Sequence, residues 1–515
     1  MPVSPYALQD YMELEPDNWD WLKKISEKKL DAQIAKLRPQ PQFESPLWKH
    51  QKACFLIGIN NPHFMFFLDM GVGKSRITLE IIKYRKLCNE AECTLILVPT
   101  LVTIQTWVDE VAKFAPDLKL LGLQGTNDER IDMLNDDADF YAINYQGLTS
   151  LTTENVVAKK GKGKKKKWAI NRSAVTAFRS KFDSMVCDEI TSIKNHQSLW
   201  YRSANLISDA CTTRFGLTGT PFGSDPGDLW AQYHCIDKGD TLGQTLGIFQ
   251  AGFFNKEKNH FSNNPYHFIH TFDKRKKVEF RKRLKHRSIR YLEDECQELP
   301  AKAFRKVYVK FTGEMEVFYN EAYEELIAAR GNYDEMRNSF TRMRQLASGF
   351  MTVKNEEEKI QIKFKEQPKL DATMGIIDSI GLGRKIVIFN EYVHSGNVIC
   401  EELKRRKYKH IRIYSGTKDH QKELAKFNND PDCRVAVVNH QSGAMSLNLQ
   451  IANYVIYYES PTGPVGRQQS IKRCHRGGQD KRVFFYDIIM KRTVDERIQM
   501  HLEAGKDLME SLFNV

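Results

Sequence analysis

The chain reads as an α/β protein built from two parallel-sheet lobes in tandem, with helical insertions between them. Three observations predict this. Short β-rich apolar runs alternate with longer helical stretches, the pattern of βα units on a parallel sheet. That alternation breaks off at about Asp225 and resumes at Lys385. Finally, 41% hydrophobic and 28% charged residues over 515 positions describe a globular chain long enough for more than two folded units.

The first set of runs is Phe64–Leu68, Thr94–Val98, Phe140–Ile143, Ser184–Cys187 and Phe215–Leu217. The second is Lys385–Phe389, Ile411–Tyr414, Arg434–Val438, Tyr454–Tyr458 and Val483–Tyr486. Between them, residues from Asp225 to Met351 are rich in aromatics, Lys and Arg, hold few strand-like runs, and look helical over Phe318–Phe350. The resulting division is an N-terminal extension (1–40, with a helix-like patch over Trp19–Leu37), a first lobe (41–225), helical insertions (226–351) and a second lobe (352–515). Within the first lobe, Lys159–Lys167 (KKGKGKKKK) is dense in like charge and is expected to be a flexible loop.

The formal net charge of +12 and a pI near 9.0 suit an anionic partner, nucleic acid first, although a basic but otherwise ordinary soluble protein has the same balance. Ten cysteines include no CxxC pair and complete no zinc spacing, so reduced thiols in a cytosolic setting are the simplest account. With Asp10, Glu13 and Glu15 and no apolar run, the N-terminus is not expected to be a signal peptide, and no run approaches the ~18 apolar residues of a membrane span.

Four segments carry chemistry. In Leu68–Ser75 (LDMGVGKS) an apolar run enters a glycine turn that opens a helical stretch, the context of a phosphate-binding loop. Gly71 and Gly73, with Val72 between them, let backbone N–H groups approach phosphate oxygens. Lys74 would reach the β and γ phosphates and Ser75 would hold Mg²⁺. The strict pattern asks for glycine where Leu68 stands, so a chance glycine turn is a rival. Met185–Asn195 (MVCDEITSIKN) sets Asp188 and Glu189 at a strand end, one to bind Mg²⁺ through water, the other to act on attacking water as general base. A surface acidic pair is the bland alternative. In Leu217–Pro221 (LTGTP), Thr218 and Thr220 offer hydroxyls that can report the state of the nucleotide site; by composition this is only a turn. In Gln469–Gln479 (QSIKRCHRGGQ), Arg473 and Arg476 are three apart, so on a helix they share a face and can fork onto phosphate oxygens. A plain basic helix face is the default for an isolated pair.

In order along the chain these segments resemble the Swi/Snf-type branch of the superfamily-two helicase-like ATPases. LDMGVGKS is similar to the family's DEMGLGKT, DEITSIKN to DEGHRLKN, and QSIKRCHRGGQ to QAIARAHRIGQ, while LTGTP is unchanged. LWKHQ, ending in Gln51, is similar to the motif whose glutamine reads adenine. LVPTLVTIQTW (Leu97–Trp107) and INYQGL (Ile143–Leu148) resemble motifs of the first lobe. KIVIFNEY (Lys385–Tyr392), HQSGAMSLNLQ (His440–Gln450) and RTVDERI (Arg492–Ile498) resemble motifs of the second. GDLWAQYHCID (Gly227–Asp237) and RMRQLASGF (Arg342–Phe350) look like the branch's helical protrusions and brace. The resemblance spans about Leu47 to Ile498. Three departures stand out: Thr191 in place of histidine, Asp69 in place of glutamate, and Gly478 in place of isoleucine.

The resemblance implies two RecA-like P-loop lobes closing on one ATP with Mg²⁺. Lys74, Asp188, Glu189, Arg473 and Arg476 would be catalytic, with Gln51, Gly71, Val72, Gly73, Lys74, Ser75 and Gln469 on the nucleotide. It implies a DNA-stimulated ATPase that translocates on double-stranded DNA. Pro99, Thr100, Asn144, Tyr145, Ser442, Gly443 and Lys164, Lys165, Lys166 and Lys167 would face the nucleic acid. A strand-separating helicase on DNA or RNA is the alternative, and a catalytically silent scaffold a further one. The expected form is a minimal cytoplasmic motor, a monomer without membrane association, at the nucleoid or in the host cytoplasm if it is bacterial or from a phage.

Overall fold

The computed structural model describes residues 19–160, 163–222, 225–258, 268–296, 300–311, 313–329, 332–354, 359–440, 447–476 and 479–513. They divide into two compact units. The first comprises the described residues up to Asn255 with those of 271–297, and the second those of 298–510 with those of 256–270.

The first unit is built on β1 (His63–Leu68), β2 (Thr94–Val98), β3 (Leu120–Gly122), β4 (Phe140–Asn144), β7 (Ser184–Asp188), β8 (Thr213–Leu217) and β11 (Ser288–Tyr291). Their order is β11-β1-β8-β7-β2-β4-β3 and every pairing is parallel. Strands β2, β7 and β8 are buried throughout, which is why they read as unbroken apolar runs rather than alternating ones. The order places β1, β8 and β7 side by side, so the three segments that leave their C-terminal ends converge although 150 residues separate Leu68 from Thr218 in sequence. In open parallel sheets that edge is where ligands bind.

Part of the N-terminal extension belongs to this unit. Helices Trp21–Lys24 and Glu27–Lys36 bury Leu22, Leu30 and Ile34 in the core that holds Phe64 and Phe66. The Trp19 indole N–H donates to the His286 carbonyl at 2.9 Å.

The second unit carries β12 (Lys302–Val309), β15 (Ile386–Asn390), β16 (His410–Ile413), β17 (Val435–Asn439), β18 (Tyr454–Tyr457) and β19 (Val483–Met490), in the parallel order β12-β19-β18-β15-β17-β16. Helices Glu314–Ala328 and Tyr333–Ala347 share a separate small core around Met315, Tyr319, Met343 and Leu346. Short two-stranded pairings complete the strands: β9 (Phe254–Lys258) with β10 (Phe268–Phe272), and β13 (Phe350–Lys354) with β14 (Lys359–Lys363).

Helices fill much of the segment between the lobes, as expected, and among its few strands β11 joins the first sheet and β12 the second. Ser288 and Arg290 sit inside β11 and are buried there, and such polar residues hide the apolar run that marks a central strand. The lysine run was expected to be a flexible loop. Instead β5 (Thr153–Lys160) pairs antiparallel with β6 (Gly163–Ile170), which carries Lys164 to Lys167. Past the charge run, Trp168 stands opposite Asn155 and Ile170 opposite Thr153, and Asn171 leads directly into helix Arg172–Lys181.

Candidate active site

β1 ends at Leu68, and the chain then turns through Gly71 (φ 86°) and Gly73 (φ 84°) into helix Lys74–Leu87. Both glycines lie in the left-handed region, where a side chain is strained. A Cβ on Gly73 would also collide with the Gln51 amide nitrogen. The loop is braced from two sides. On one, His50 Nε2–H donates to the Val72 carbonyl at 2.8 Å and Gln51 Nε2 donates to the same oxygen at 3.3 Å. Burial pushes the His50 imidazole below its usual range, which keeps it neutral. On the other, the Asp69 N–H donates to Tyr291 at 3.1 Å and Asp69 Oδ2 accepts from the Glu293 N–H at 3.3 Å, tying the loop to the end of β11. Asp69, where the resembling motif has glutamate, therefore has a structural task. The Lys74 ammonium donates to the carbonyls of Leu68 (3.1 Å) and Asp69 (3.3 Å), inside the curl that phosphates would occupy.

Gln51 is placed differently from a free adenine reader. Its Oε1 accepts from the Trp48 N–H at 3.0 Å while Nε2 serves Val72, so both ends of this buried amide are engaged within the protein.

At the end of β7, Asp188 is buried and heavily bonded. Oδ2 accepts from the Trp107 indole N–H and Oδ1 from the Glu189 N–H, each at 3.0 Å. Burial, then the adjacent Glu189 charge, pushes its carboxyl up to about 6, against the pull of Lys74 and the indole N–H. Glu189 adopts φ 44°, ψ 58°, an uncommon backbone for a non-glycine residue and one that clusters at functional sites. Its carboxylate accepts from the Thr218 hydroxyl at 2.8 Å, and Thr218 Oγ1 in turn accepts from the Thr220 N–H at 3.1 Å. LTGTP is thus bonded directly to the DE pair. Lys74, Asp188, Glu189 and Thr218 all stand at the C-terminal edge of β1, β7 and β8.

Ser75 follows Lys74 on the first turn of the helix. Among the described residues no three His, Cys, Asp or Glu side chains form a metal cluster. A cation here would draw on the Ser75 hydroxyl and Asp188 and otherwise on phosphate oxygens and water. That ligand set fits Mg²⁺, which keeps several waters.

Of the residues expected to face nucleic acid, Pro99 and Thr100 are half-buried at the start of helix Leu101–Phe114, with Thr100 as its N-cap. Asn144 caps helix Tyr145–Thr152 by accepting from the Gly147 N–H at 3.2 Å. Tyr145 is corrected: it is fully buried, its hydroxyl donates to the Asp188 carbonyl at 3.0 Å, and its ring stacks on Trp200. A large aromatic ring after a strand buries more readily than it stays in water. Ser442 and Gly443 lie outside the described residues.

In the second unit Gln469 is half-buried and Arg473 buried, both on helix Pro464–Cys474. The expectation that Arg473 and Arg476 share a helical face is corrected. The helix ends at Cys474, His475 is extended with Nε2 hydrogen-bonded to the Pro300 carbonyl at 2.7 Å, and Arg476 lies beyond it. The two glycines at 477–478 are a helix-stop signal that would have placed this end correctly. Sequence reasoning missed Arg467, which stacks on Tyr457 at 3.4 Å and pairs with Asp487 at 2.6 Å. It also missed Trp107 and its hold on Asp188, for which no local spacing gives a signal.

A family model for the SNF2-related domain matches residues 27–365, and a model for the helicase conserved C-terminal domain matches 368–478. The chain belongs to the SNF2-related family. Its first match extends through β11 and β12 and its second over most of the second sheet, consistent with two RecA-like lobes. The chain is 26% identical over 446 residues to an uncharacterized ATP-dependent helicase of Mycoplasma genitalium, covering 84% of this chain and 38% of that protein. It is 24% identical over 478 residues to the transcription regulatory protein SNF2 of Saccharomyces cerevisiae, covering 86% of this chain and 26% of that one. The chain therefore spans about a quarter to two fifths of the length of these relatives. Among solved structures it is similar to the Sulfolobus solfataricus SWI2/SNF2 ATPase core in complex with dsDNA, at 21% identity, 92% coverage of each chain and a TM-score of 0.41. No helix among the described residues is long and apolar enough to cross a membrane.

Proposed function

We propose that this chain hydrolyses ATP in a cleft between its lobes and uses the cycle to translocate along double-stranded DNA. The observation that carries the ATPase reading is the convergence of Lys74, Asp188, Glu189 and Thr218 on one edge of the first sheet. The P-loop amides and Lys74 hold the phosphates, Lys74 exchanging its two carbonyl partners for phosphate oxygens. Mg²⁺, held by Ser75 and Asp188, would supply charge neutralisation at the phosphates. Glu189 orients and deprotonates the attacking water, its carboxylate fixed by Thr218. Arg473 and Arg476 of the second lobe complete the site when the cleft closes and stabilise charge on the transferring phosphoryl group.

The nucleic-acid part of the reading draws on the +12 net charge, the lysine-bearing strand and the helicases among the relatives. ATP turnover measured in parallel with double-stranded, single-stranded and forked DNA and with RNA tests it, beside triplex displacement and strand separation. Strongest stimulation by duplex, with triplex displacement and without strand separation, is expected. Strand separation with stimulation by forks or RNA would replace translocation with unwinding, and no turnover under any condition would leave a scaffold.

A further inference from the structure

Asp188 collects hydrogen bonds from two helices outside the phosphate loop. The Trp107 indole N–H reaches its Oδ2 and the Tyr145 hydroxyl reaches its main-chain oxygen, both at 3.0 Å. Trp107 lies on helix Leu101–Phe114, seven residues and about 10 Å from the Thr100 N-cap. Tyr145 opens helix Tyr145–Thr152, directly after the Asn144 N-cap. These are the starts of the two helices at which Pro99, Thr100 and Asn144 are expected to face nucleic acid, and Leu101 and Val102 at the start of the first are exposed.

Neither bond is needed to satisfy a stray group at the protein's convenience. An indole N–H is donor-only, and any nearby carbonyl would serve it; here it is spent on a carboxylate oxygen next to the catalytic glutamate. Trp107 and Tyr145 are 1% and 0% exposed, so neither ring can shift without moving what it touches. A displacement of either helix start on nucleic acid is therefore delivered to the side chain or the backbone of one residue, and a change at Asp188 is delivered back.

We propose that Trp107 and Tyr145 are positioning residues that couple nucleic-acid binding to the state of the nucleotide site through Asp188. This rests on the function proposed above. The test uses Trp107→Phe, Tyr145→Phe and the double variant; Tyr145→Phe removes only the hydroxyl, whereas Trp107→Phe removes the N–H together with part of a buried ring, so melting temperatures are measured beside it. Affinity for one labelled duplex is measured without nucleotide, with ADP, and with a non-hydrolysable ATP analogue, alongside affinity for a fluorescent nucleotide with and without duplex. The wild type should show duplex affinity that differs between nucleotide states by roughly fivefold or more, with the same factor appearing in nucleotide affinity, since coupling is reciprocal. Each single variant should shrink that factor and the double variant bring it near one, while nucleotide-free duplex affinity stays within about twofold. Unchanged coupling in the double variant overturns the inference, as does parallel loss of nucleotide-free binding, which marks a structural role. A wild type that binds duplex with no dependence on nucleotide overturns the inference and leaves the function standing. A wild type that binds no nucleic acid overturns both.

Discussion

The Thr218 hydroxyl donates to the Glu189 carboxylate at 2.8 Å, joining the end of β8 to the end of β7. The bond aims a carboxylate whose backbone already sits in the left-handed region. Glu189→Gln should lower ATP turnover by about 10²–10⁴-fold, the usual contribution of a general base, while ATP binding survives. Thr218→Val, which deletes the donor to Glu189 and also the acceptor of the Thr220 N–H, should cost at least about tenfold, the scale of one hydrogen bond to a charged group. Steady-state turnover with nucleotide titration checks both, and wild-type turnover in Glu189→Gln would remove the catalytic assignment.

Lys74→Ala should abolish phosphate binding, seen as loss of fluorescent-nucleotide affinity with the fold intact by circular dichroism. Gly73→Ala should have the same effect by another route. Its backbone is left-handed, where a side chain costs about 1–2 kcal/mol, and its methyl would push Gln51 off Val72. Gly73→Ala retaining full nucleotide affinity would show that the loop does not need this curl.

Much of this was legible in the sequence. Each of the ten apolar runs expected as strands overlaps a strand; most are central parallel strands, buried on both faces and so unbroken in hydrophobicity, while β16 is an edge strand with alternating burial. The phosphate loop was legible from Gly71, Gly73 and Lys74 for the same local reason. What failed depended on partners distant in sequence. Nothing near Tyr145 or Trp107 announces that both end on Asp188. Arg290 looks like a surface charge until β1 is seen beside it. The lysine run gives no hint of the strand that pairs with it, since a run of like charge carries no apolar periodicity.

Arg473→Ala and Arg476→Ala should each abolish DNA-stimulated turnover and leave nucleotide binding by the first lobe largely intact. The structure separates them in a second respect. Arg473 is buried within its helix, whereas Arg476 is half-buried past the helix end, so loss of Arg473 should lower the melting temperature more than loss of Arg476. Normal stimulated turnover in both variants would exclude a shared site.

The His440 ring lies beside those of Phe389 and Tyr457, at 5.3 and 5.9 Å and nearly parallel to both, with Nε2–H donating to the Glu459 carbonyl at 2.8 Å. Burial, reinforced by Arg467 and Arg344, pulls its pKa down to about 4. A base held below its unfolded value stabilises the fold above about pH 6.5, and that stability is lost as pH falls toward 4, because the unfolded chain takes up the proton first. The loss is about 3 kcal/mol at most. Denaturant unfolding at about pH 7.5 and pH 5 should show a drop in the wild type that His440→Gln reduces. Equal drops in both would place the acid sensitivity elsewhere.

Lys164 to Lys167 lie on β6, one arm of a hairpin. Four adjacent cations can neutralise phosphates without reading bases. Each phosphate neutralised contributes about 0.9 to the slope of log affinity against log salt on B-DNA. Replacing these four lysines with serine, which keeps the backbone ladder, should therefore weaken duplex binding for every sequence and flatten the slope by about one to three. Turnover at saturating DNA should change little, because Lys74, Asp188, Glu189 and Thr218 stand at the edge of the first sheet. Affinity for one duplex across a salt series is the measurement, and an unchanged slope would leave the hairpin as a spacer and shift duplex binding to the starts of helices Leu101–Phe114 and Tyr145–Thr152.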